Sequence, residues 1–593
     1  MSDSKAGAAW GPERSHYCGE VGESLVGSAV TVAGWVHRRR DHGGLVFIDL
    51  RDRTGLVQVV VSPEAALAFG TAEAVRPEWV VAATGTVADR PAGMANPELP
   101  TGMVEVRAAA LHVWSRSETP PVSPASGAEV DERLRLKHRY LDLRRPELLK
   151  NFVLRDQVVY AVRRWMHDHG FLDVETPVLG RSTPEGARDF LVPSRVQPGR
   201  VYALPQSPQV WKQLLMVGGL DRYYQIVKVF RDEALRSDRQ PEFTQIDIET
   251  SFLSQAQILA LVEDMVRSVF REALQVELAP WPQLTYAEAL AQYGSDKPDL
   301  RAGPPLVDLT AVARGAAAIA QSNEDRWVGI AATPAALSRR QLDALVERAQ
   351  AIGAPGLFWI RPTADGIRTN AGRALAEGTV AAMAEAAGIQ AADSGLLLVL
   401  AGPAPEVHRQ AGVLRLELAD QLGHVAPGFH FLWVTDFPLF EWSAEEQRWT
   451  SAHHPFTMPH PDDRSLVASH PGQARSQAYD VVLNGVELAS GSLRIYDPEL
   501  QAEVFGVLGL SRDEVDAKFG YLLDAFRYGP PPHGGIALGL DRLVMLMAGA
   551  DSLRDVIAFP KTHTGSDLVM GSPALADPGQ WAELRLSPWE DDR

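Results

Sequence analysis

The sequence predicts a multidomain α+β chain: a small N-terminal β-barrel, a larger domain built on an antiparallel sheet, and an α/β domain inserted into that sheet domain. Three observations carry the prediction. Short apolar strands follow one another at close spacing before residue 62, the pattern of a small barrel. Between Tyr224 and Thr250 apolar and polar residues alternate with period two on both sides of a polar loop, the mark of an antiparallel hairpin. Residues 311–420 are rich in alanine and glycine and carry no cluster of chemistry-bearing residues, while such clusters lie on both sides of them, as an insertion requires.

At 593 residues the chain has room for roughly three to four domains, each with an ample core. Its 46% apolar and 22% charged content is ordinary for a globular protein. No apolar run approaches a membrane span, and the opening MSDSKAGAAW lacks a basic-then-apolar signal. A cytoplasmic protein with no membrane partner is expected. The single cysteine, Cys18, rules out an internal disulfide, fits a reducing compartment and argues against a thiolate zinc site. A net charge of −18 argues against bulk, sequence-blind binding to nucleic acid, and no DNA partner is expected; a polyanion partner must meet local basic patches.

In chain order, residues 29–61 read as three strands with turns at Asp41-His42-Gly43-Gly44 and Asp52-Arg53-Thr54-Gly55. In the middle strand Val46, Ile48 and Leu50 share one parity and Phe47 the other, so Phe47 points away from the core. Gln58 opposes Val57 and Val59 and faces out as well, and Arg38, Arg39 and Arg40 precede the turn. A ring for stacking, an amide for base edges and a basic cluster for phosphate are what single-stranded RNA recognition uses; plain surface packing uses the same residue types. From Arg116 to Pro146 proline and serine give way to charge, a linker. Helical spacing through Val153, Val158, Val162 and Trp165 fills residues 150–169, and Gly170 ends it. Phe171 to Pro177 reads as a strand whose proline suits an edge or an interface. Residues 182–189 read as a polar loop. Ser207 as N-cap and Pro208 as first residue open a helix that places Gln209 and Lys212 one turn apart; Lys212 either reaches a carboxylate or lies on a solvated face.

In the hairpin's second limb Thr244, Ile246, Ile248 and Thr250 share one face, and Phe243, Gln245, Asp247 and Glu249 the other; Arg231 and Glu233 share a parity in the first limb. The hairpin therefore presents an arginine, acids, an amide and a phenyl ring to one cleft. Strands return at Phe431–Val434, His453–Phe456, Tyr479–Glu487 and Ser492–Ile495. Consecutive strand residues face opposite ways, so one of His453 and His454 enters a cleft, which argues against zinc. Asp480 and Glu487 suit Mg²⁺ bridging phosphates. Gly534 to Leu543 is a glycine-flanked strand running into an apolar helix, where Arg542 in the first turn opposes the helix dipole unless an anion sits there. Neither a P-loop nor a dinucleotide glycine fingerprint is present, so a nucleotide must bind on the antiparallel sheet.

These residues resemble the class II aminoacyl-tRNA synthetases, and among them the bacterial-type aspartyl branch of subclass IIb, over nearly the entire chain. GFLDVETPVL at 170–179, FRDEALRSDRQPEFTQID at 230–247 and GIALGLDRL at 535–543 look like motifs 1, 2 and 3. TPEGARDFLVPSR and YALPQSPQVWKQLLM resemble the aspartate branch specifically. The resemblance implies an OB-fold anticodon-binding domain over residues 1–115, a linker over 116–149, a class II catalytic domain over 150–285 and 426–560, a bacterial-type insert over 286–425, and a C-terminal extension over 561–593. It implies a homodimer through motif 1, ATP and Mg²⁺, activation of L-aspartate as aspartyl-adenylate, and transfer of the aspartyl group to the 3′ end of tRNA(Asp) with release of AMP.

By that resemblance Arg231 clamps the α-phosphate and the amino acid's carboxylate, Glu233 the adenine amino group and Phe243 the adenine face. Arg542 stacks opposite and meets the γ-phosphate. Asp232, Gln240, Gly539, Leu540 and Asp541 complete the ATP set, and Asp480 and Glu487 hold magnesium. Lys212 and Arg494, assisted by His453, take the side-chain carboxylate of aspartate, the fork of Arg494 suiting bidentate pairing. Glu185, Ser207, Gln209 and Asp247 meet its ammonium. Phe47 stacks an anticodon base, Arg40 and Gln58 contact the middle nucleotide, and Glu105 faces the first. Ala489-Ser490-Gly491 stands where bacterial relatives usually have three glycines. His42 and Gly93 resemble the relaxed branch that charges both tRNA(Asp) and tRNA(Asn), leaving strict and relaxed readings both open. A tRNA-independent amide ligase using aspartyl-adenylate and a non-catalytic RNA-binding paralogue are the alternatives; the first usually lacks the barrel, the second loses Arg231, Glu233 or Arg542.

Overall fold

The computed structural model describes residues 11–124, 130–182, 186–313, 325–372 and 374–586. Two compact units result: the chain up to Leu154 together with Asp551–Leu575, and Arg155–Ala550 together with the residues from Ala576 on.

The first unit holds a closed five-stranded barrel, ordered Ala29–His42, Leu45–Asp52, Gly55–Val61, Val104–Ser115, Val80–Asp89. The alternation read from the sequence sets its inside: Val46, Ile48, Leu50, Val57, Val59 and Val61 form one core with Val30, Val32 and Val36. Helix Ala66–Ala74 adds Ala68 and Ala72 to that core. The first turn places Gly43 and Gly44 at φ +60° and +79°, the geometry that a two-residue hairpin loop demands. In the second barrel strand, Arg51 donates through Nη2 to both oxygens of Glu78 at 2.9 and 3.0 Å, both residues buried, and Arg144 of the linker reaches Glu78 at 3.0 Å. The linker contains two short helices, Glu132–Lys137 and Arg139–Asp142. Buried Arg139 donates to the carbonyls of Ala558 and Ile557, each at 3.0 Å, and of Arg554, which is why residues far downstream join this unit.

The second unit is built on an eight-stranded sheet, ordered Gln283–Thr285, Phe431–Thr435, Ala478–Leu483, Val486–Leu493, His533–Gly539, Glu242–Ser251, Arg222–Phe230, Leu172–Asp173. The six central strands are antiparallel, and the two edge strands pair in parallel. Three local expectations are corrected. The strand expected over Phe171–Pro177 has only Leu172–Asp173 in the ladder, at an edge that pairs on one side alone, and Pro177, which has no N–H to donate, stands outside it. The helix expected from Ser207 begins at Gln209 with Pro208 as N-cap; the Ser207 hydroxyl instead accepts from the Gln209 N–H at 3.2 Å. His453–Phe456 is not a strand but a turn following the strand Arg448–Ser451.

Between Thr285 and Phe431 lies a separate five-stranded sheet, ordered Val307–Asp308, Arg326–Ala332, Leu396–Gly402, Phe358–Thr363, Gly366–Thr369, antiparallel throughout. Leu396, Leu398 and Leu400 pack with helices Arg339–Ala351 and Glu406–Leu422 on one face, and Leu397 and Val399 with helix Glu377–Ala386 on the other. Burial of both faces explains why this strand reads as a continuous apolar run rather than an alternation.

Candidate active site

The hairpin register sets Phe243 opposite Val229, Asp247 opposite Gln225 and Glu249 opposite Tyr223. Ile246 and Ile248 enter the core, as parity predicts. The other face is not solvated: Asp247 and Glu249 are fully buried, and so are Lys212 and Arg494, which meet them. Lys212 Nζ lies 2.6 Å from Asp247 Oδ1 and 3.2 Å from Glu249 Oε2. Arg494 donates through Nε and Nη2 to the two oxygens of Glu249 at 3.0 and 3.1 Å, and through Nη1 to Ser492 Oγ at 2.7 Å and to His454. Two buried cations thus balance two buried anions, the arrangement that removes the cost of isolated charge. The bidentate fork expected for a ligand is taken by Glu249, and Nη1 and the Lys212 ammonium are likewise engaged within the cluster.

Gly535 makes this packing possible. A Cβ there would stand 2.0 Å from Glu249 Oε2 and 2.1 Å from the Ile248 carbonyl. Burial, the largest influence, pushes the Glu249 carboxyl up, and the charges of Arg494 and Lys212 more than reverse it, leaving it at about 2. Burial raises Asp247 above the ordinary carboxylate range, Lys212 recovering only part, and its Oδ2 has no hydrogen-bond partner.

His453 and His454 both approach this cluster, contrary to the strand rule, because the turn frees them from alternation. His453 Nδ1 meets Ser490 Oγ at 3.2 Å. Burial and the Arg494 charge lower His453 to about 4 and push His454 well below the ordinary range. His453 is therefore neutral beside the cations here rather than a third cation. Gln209 donates to Gln213 Oε1 at 3.2 Å, and Gln213 in turn lies 3.2 Å from His533 Nε2. Glu249, His454, Gln213 and His533 were given no role by the sequence; the parity that Glu249 shares with Asp247 is the signal that singles it out.

At the hairpin's open end the Arg231 guanidinium lies 5.3 Å from the Phe243 ring centroid, near enough for a cation–π contact, and Nε donates to the Gln206 carbonyl at 3.4 Å. Buried Gln206 holds the preceding loop, donating to Asp189 at 2.6 Å and to the Ala187 carbonyl at 2.8 Å. Glu185 lies outside the described residues. Asp232 N–H donates to the Arg188 carbonyl at 3.0 Å, and Glu233 pairs with Arg239 at 3.0 Å. Arg542 reaches the Glu487 carbonyl and the Asp238 carboxylate, the latter at 3.6 Å, so it joins the hairpin loop to the neighbouring strand. Gln240 is buried at the base of that loop rather than displayed on it. Gly539 is the N-cap of helix Leu540–Ala548. Two residues from the expected ATP set face inward. Leu540 is core, and Asp541 has one oxygen on the Thr244 N–H at 2.7 Å and the other on Arg155, so its charge fastens the helix to the hairpin.

Asp480 is buried with Oδ1 unpartnered, and burial followed by the nearby Glu487 charge raises its carboxyl well above the ordinary range. A register shift between Val481 and Val482 brings Glu487, two-fifths exposed, to its side. Among the described residues no group of three or more His, Cys, Asp or Glu forms a self-sufficient metal cage. A pair of carboxylates with an orphaned oxygen fits Mg²⁺, which takes one or two carboxylates and completes its shell with phosphates and water.

On the barrel, Phe47 is half-buried on the outer face, cross-strand from Arg40 and Val60. Gln58 faces away from the core as expected but is covered: Arg40 donates to its Oε1 at 3.4 Å and to Asp49 at 2.8 Å, while Gln58 donates to buried Glu105 at 3.2 Å. His42 ends its strand exposed, and Gly93, at φ +81°, closes a turn bonded from Met94 N–H to the Pro91 carbonyl at 2.9 Å.

The profile of the family described as tRNA synthetases class II (D, K and N) matches residues 131–563, and that of the OB-fold nucleic acid binding domain matches residues 30–113. The aspartate–tRNA ligase of Bacillus licheniformis is 50% identical over 97% of this chain and 98% of its own. The aspartate–tRNA(Asp/Asn) ligase of Moorella thermoacetica is 51% identical over 97% of each. Among solved structures, the asparaginyl-tRNA synthetase of Pyrococcus horikoshii with asparaginyl-adenylate aligns with a TM-score of 0.59 at 19% identity, over 93% of this chain and 98% of its own. The aspartyl-tRNA synthetase of Entamoeba histolytica gives 0.55 at 19%, over 91% and 90%. The distant structures speak to the fold, the near relatives to descent. With the barrel, the antiparallel sheet and the three motif segments in their places, the chain belongs to the class II tRNA synthetases of the D, K and N group and aligns end to end with their aspartate–tRNA ligases.

Proposed function

We propose that this protein joins L-aspartate to tRNA(Asp) in two steps, ATP-dependent formation of aspartyl-adenylate and transfer of the aspartyl group to the tRNA 3′ end. The buried Lys212–Asp247–Glu249–Arg494 cluster carries the reading: it offers cationic hydrogen-bond donors for an acidic side chain, and the unpartnered Asp247 Oδ2 is an acceptor for an ammonium. The names of relatives at 50% and 51% identity support it independently.

In the first step a carboxylate oxygen of aspartate bonds to the α-phosphorus, and pyrophosphate leaves. The protein need supply no nucleophile; it aligns two anions and spreads charge. Arg231 lies between them, Phe243 supports the adenine, Glu233 accepts from its amino group, and Arg542 takes the far phosphates. Asp480 and Glu487 would hold Mg²⁺, which supplies charge neutralisation at the phosphates. Ser207 and Gln209 share the ammonium with Asp247. The barrel reads the anticodon through Arg40, Phe47, Gln58 and Glu105. The retained Arg231, Glu233 and Arg542 weigh against a non-catalytic paralogue, and the barrel against a tRNA-independent ligase. The six domain spans read from the sequence, a cytoplasmic setting and a motif 1 homodimer belong to this proposal.

Arg494→Leu is expected to abolish aspartate-dependent ATP–pyrophosphate exchange, since an unpaired buried polar group costs roughly 10⁴ in such sites; exchange retained at normal aspartate affinity would sink the assignment. His42, Gly93 and the relatives named for both tRNAs favour a second reading, that tRNA(Asn) is also aspartylated. Charging of purified tRNA(Asp) and tRNA(Asn) side by side decides it.

A further inference from the structure

The chain enters the inserted sheet through residues 295–304, and this stem passes the carboxylate pair. Lys297 Nζ stands 3.7 Å from Glu487 Oε2, with the two side chains 45% and 40% exposed. An ion pair so long and open contributes at most about 1 kcal/mol to the fold. The backbone beneath it is fixed far more firmly. Asp299 receives Arg301 at 2.8 to 3.0 Å. Buried Arg415 donates to the carbonyls of Asp299, Gly303 and Pro304 at 3.1, 2.9 and 2.8 Å. On the other side the turn between the strands bearing Asp480 and Glu487 presses on the stem, where a Cβ at Gly485 would come within 3.0 Å of Asp299 Cβ. A rigid stem therefore delivers a movable ammonium to the exposed member of a pair whose buried member, Asp480, keeps an oxygen without a partner.

We propose that Lys297 is a phosphate-binding residue of the nucleotide site, an inference that rests on the adenylation reading above. In the empty site its ammonium neutralises Glu487. Once Glu487 is given over to Mg²⁺, Lys297 turns its N–H donors to the β- and γ-phosphates on the side opposite Arg542. When the aspartate oxygen bonds to the α-phosphorus, the bond from that phosphorus to the bridging oxygen breaks and its electron pair leaves on pyrophosphate. Lys297 stays with that leaving group as a donor, and no proton changes hands. The insert's root thereby becomes part of the reaction site, and its helix Glu406–Leu422, which carries Arg415, holds the residue in range.

The test uses the full chain with Lys297→Ala and Lys297→Arg. In aspartate-dependent ATP–pyrophosphate exchange, the KM for ATP should rise about tenfold in the alanine variant, the scale of a charge-assisted hydrogen bond, with the KM for aspartate unchanged and the arginine variant recovering most of the loss. Without nucleotide, Mn²⁺ binding followed by electron paramagnetic resonance should tighten severalfold in Lys297→Ala, because Glu487 has lost its competing cation. An unchanged KM for ATP in a normally folded alanine variant overturns the inference. Absence of exchange in the unmutated protein would instead remove the adenylation reading itself, and the two failures are told apart by which protein shows them.

Discussion

Glu249 shows how a single side chain is underread from sequence. Its parity placed it on the same face as Asp247, yet only the fold brings Arg494, 245 positions downstream, into bidentate contact with it. No local pattern encodes a pairing of that separation, whereas Lys212 and Asp247 were legible through the motifs that contain them, and Arg494 through the family resemblance. Glu249→Gln keeps the volume and removes the charge, leaving two cations against one anion. We expect a loss of roughly 3–5 kcal/mol, the range for breaking a buried pair, read as a lower urea midpoint at pH 7; an unchanged midpoint would show the cluster to be energetically idle. The pH dependence has a definite sign. The carboxyl is held at about 2 against an ordinary 4.5, so its contribution is complete above pH 4.5 and is lost as pH falls from there toward 2. The gap between the two proteins should narrow over that window.

At the scale of elements, alternation was a dependable guide to the strands, because a strand with one buried face has no freedom of register. It misled at His453 and His454, where a turn replaces the strand and releases both rings toward Arg494; the capping rule erred by a single residue at the Ser207 helix start. Glycines were legible as motif letters but not as steric requirements. Gly535→Ala puts a methyl group within 2.1 Å of both the Ile248 carbonyl, which is backbone, and the Glu249 carboxylate, which Arg494 and Lys212 hold in place. Overpacking of this kind costs about 1–3 kcal/mol, and the displaced Glu249 should also raise the KM for aspartate. Gly520 lies within helix Arg512–Phe526, and a Cβ there has its nearest neighbour at 3.9 Å. Gly520→Ala should therefore stabilise by roughly 0.5–1 kcal/mol through helix propensity. Thermal unfolding of the two variants should move in opposite directions, and an unchanged or raised midpoint in Gly535→Ala would refute the steric reading of Gly535.

For the whole molecule, the order barrel, sheet, insert, sheet was legible because the barrel and hairpin strands alternate with period two, while the insert stands out by its alanine- and glycine-rich composition between two chemistry-bearing segments. The return of Asp551–Leu575 to the first unit was not, since Arg139 reaches it through backbone carbonyls, which carry no sequence signature. Assembly is the remaining question at this scale. Leu172, Val178 and Leu179, in and just after the edge strand, are each about half exposed, and large apolar side chains left exposed in one short segment are what an interface covers. The strand Leu172–Asp173 pairs on one side only, so a second copy approaching about a two-fold axis would cover the same residues on both partners. A net charge of −18 opposes close approach of two copies at low ionic strength, and screening reduces that repulsion beyond about 10 Å at 0.1 M salt. Sedimentation equilibrium should therefore return the mass of a dimer at micromolar concentration, with dissociation favoured when salt is removed. Leu179→Asp, which places two like charges near the axis, should sediment as a monomer while keeping its secondary structure. A monomeric unmutated protein at that concentration, or a Leu179→Asp variant that remains dimeric, would move the interface away from motif 1.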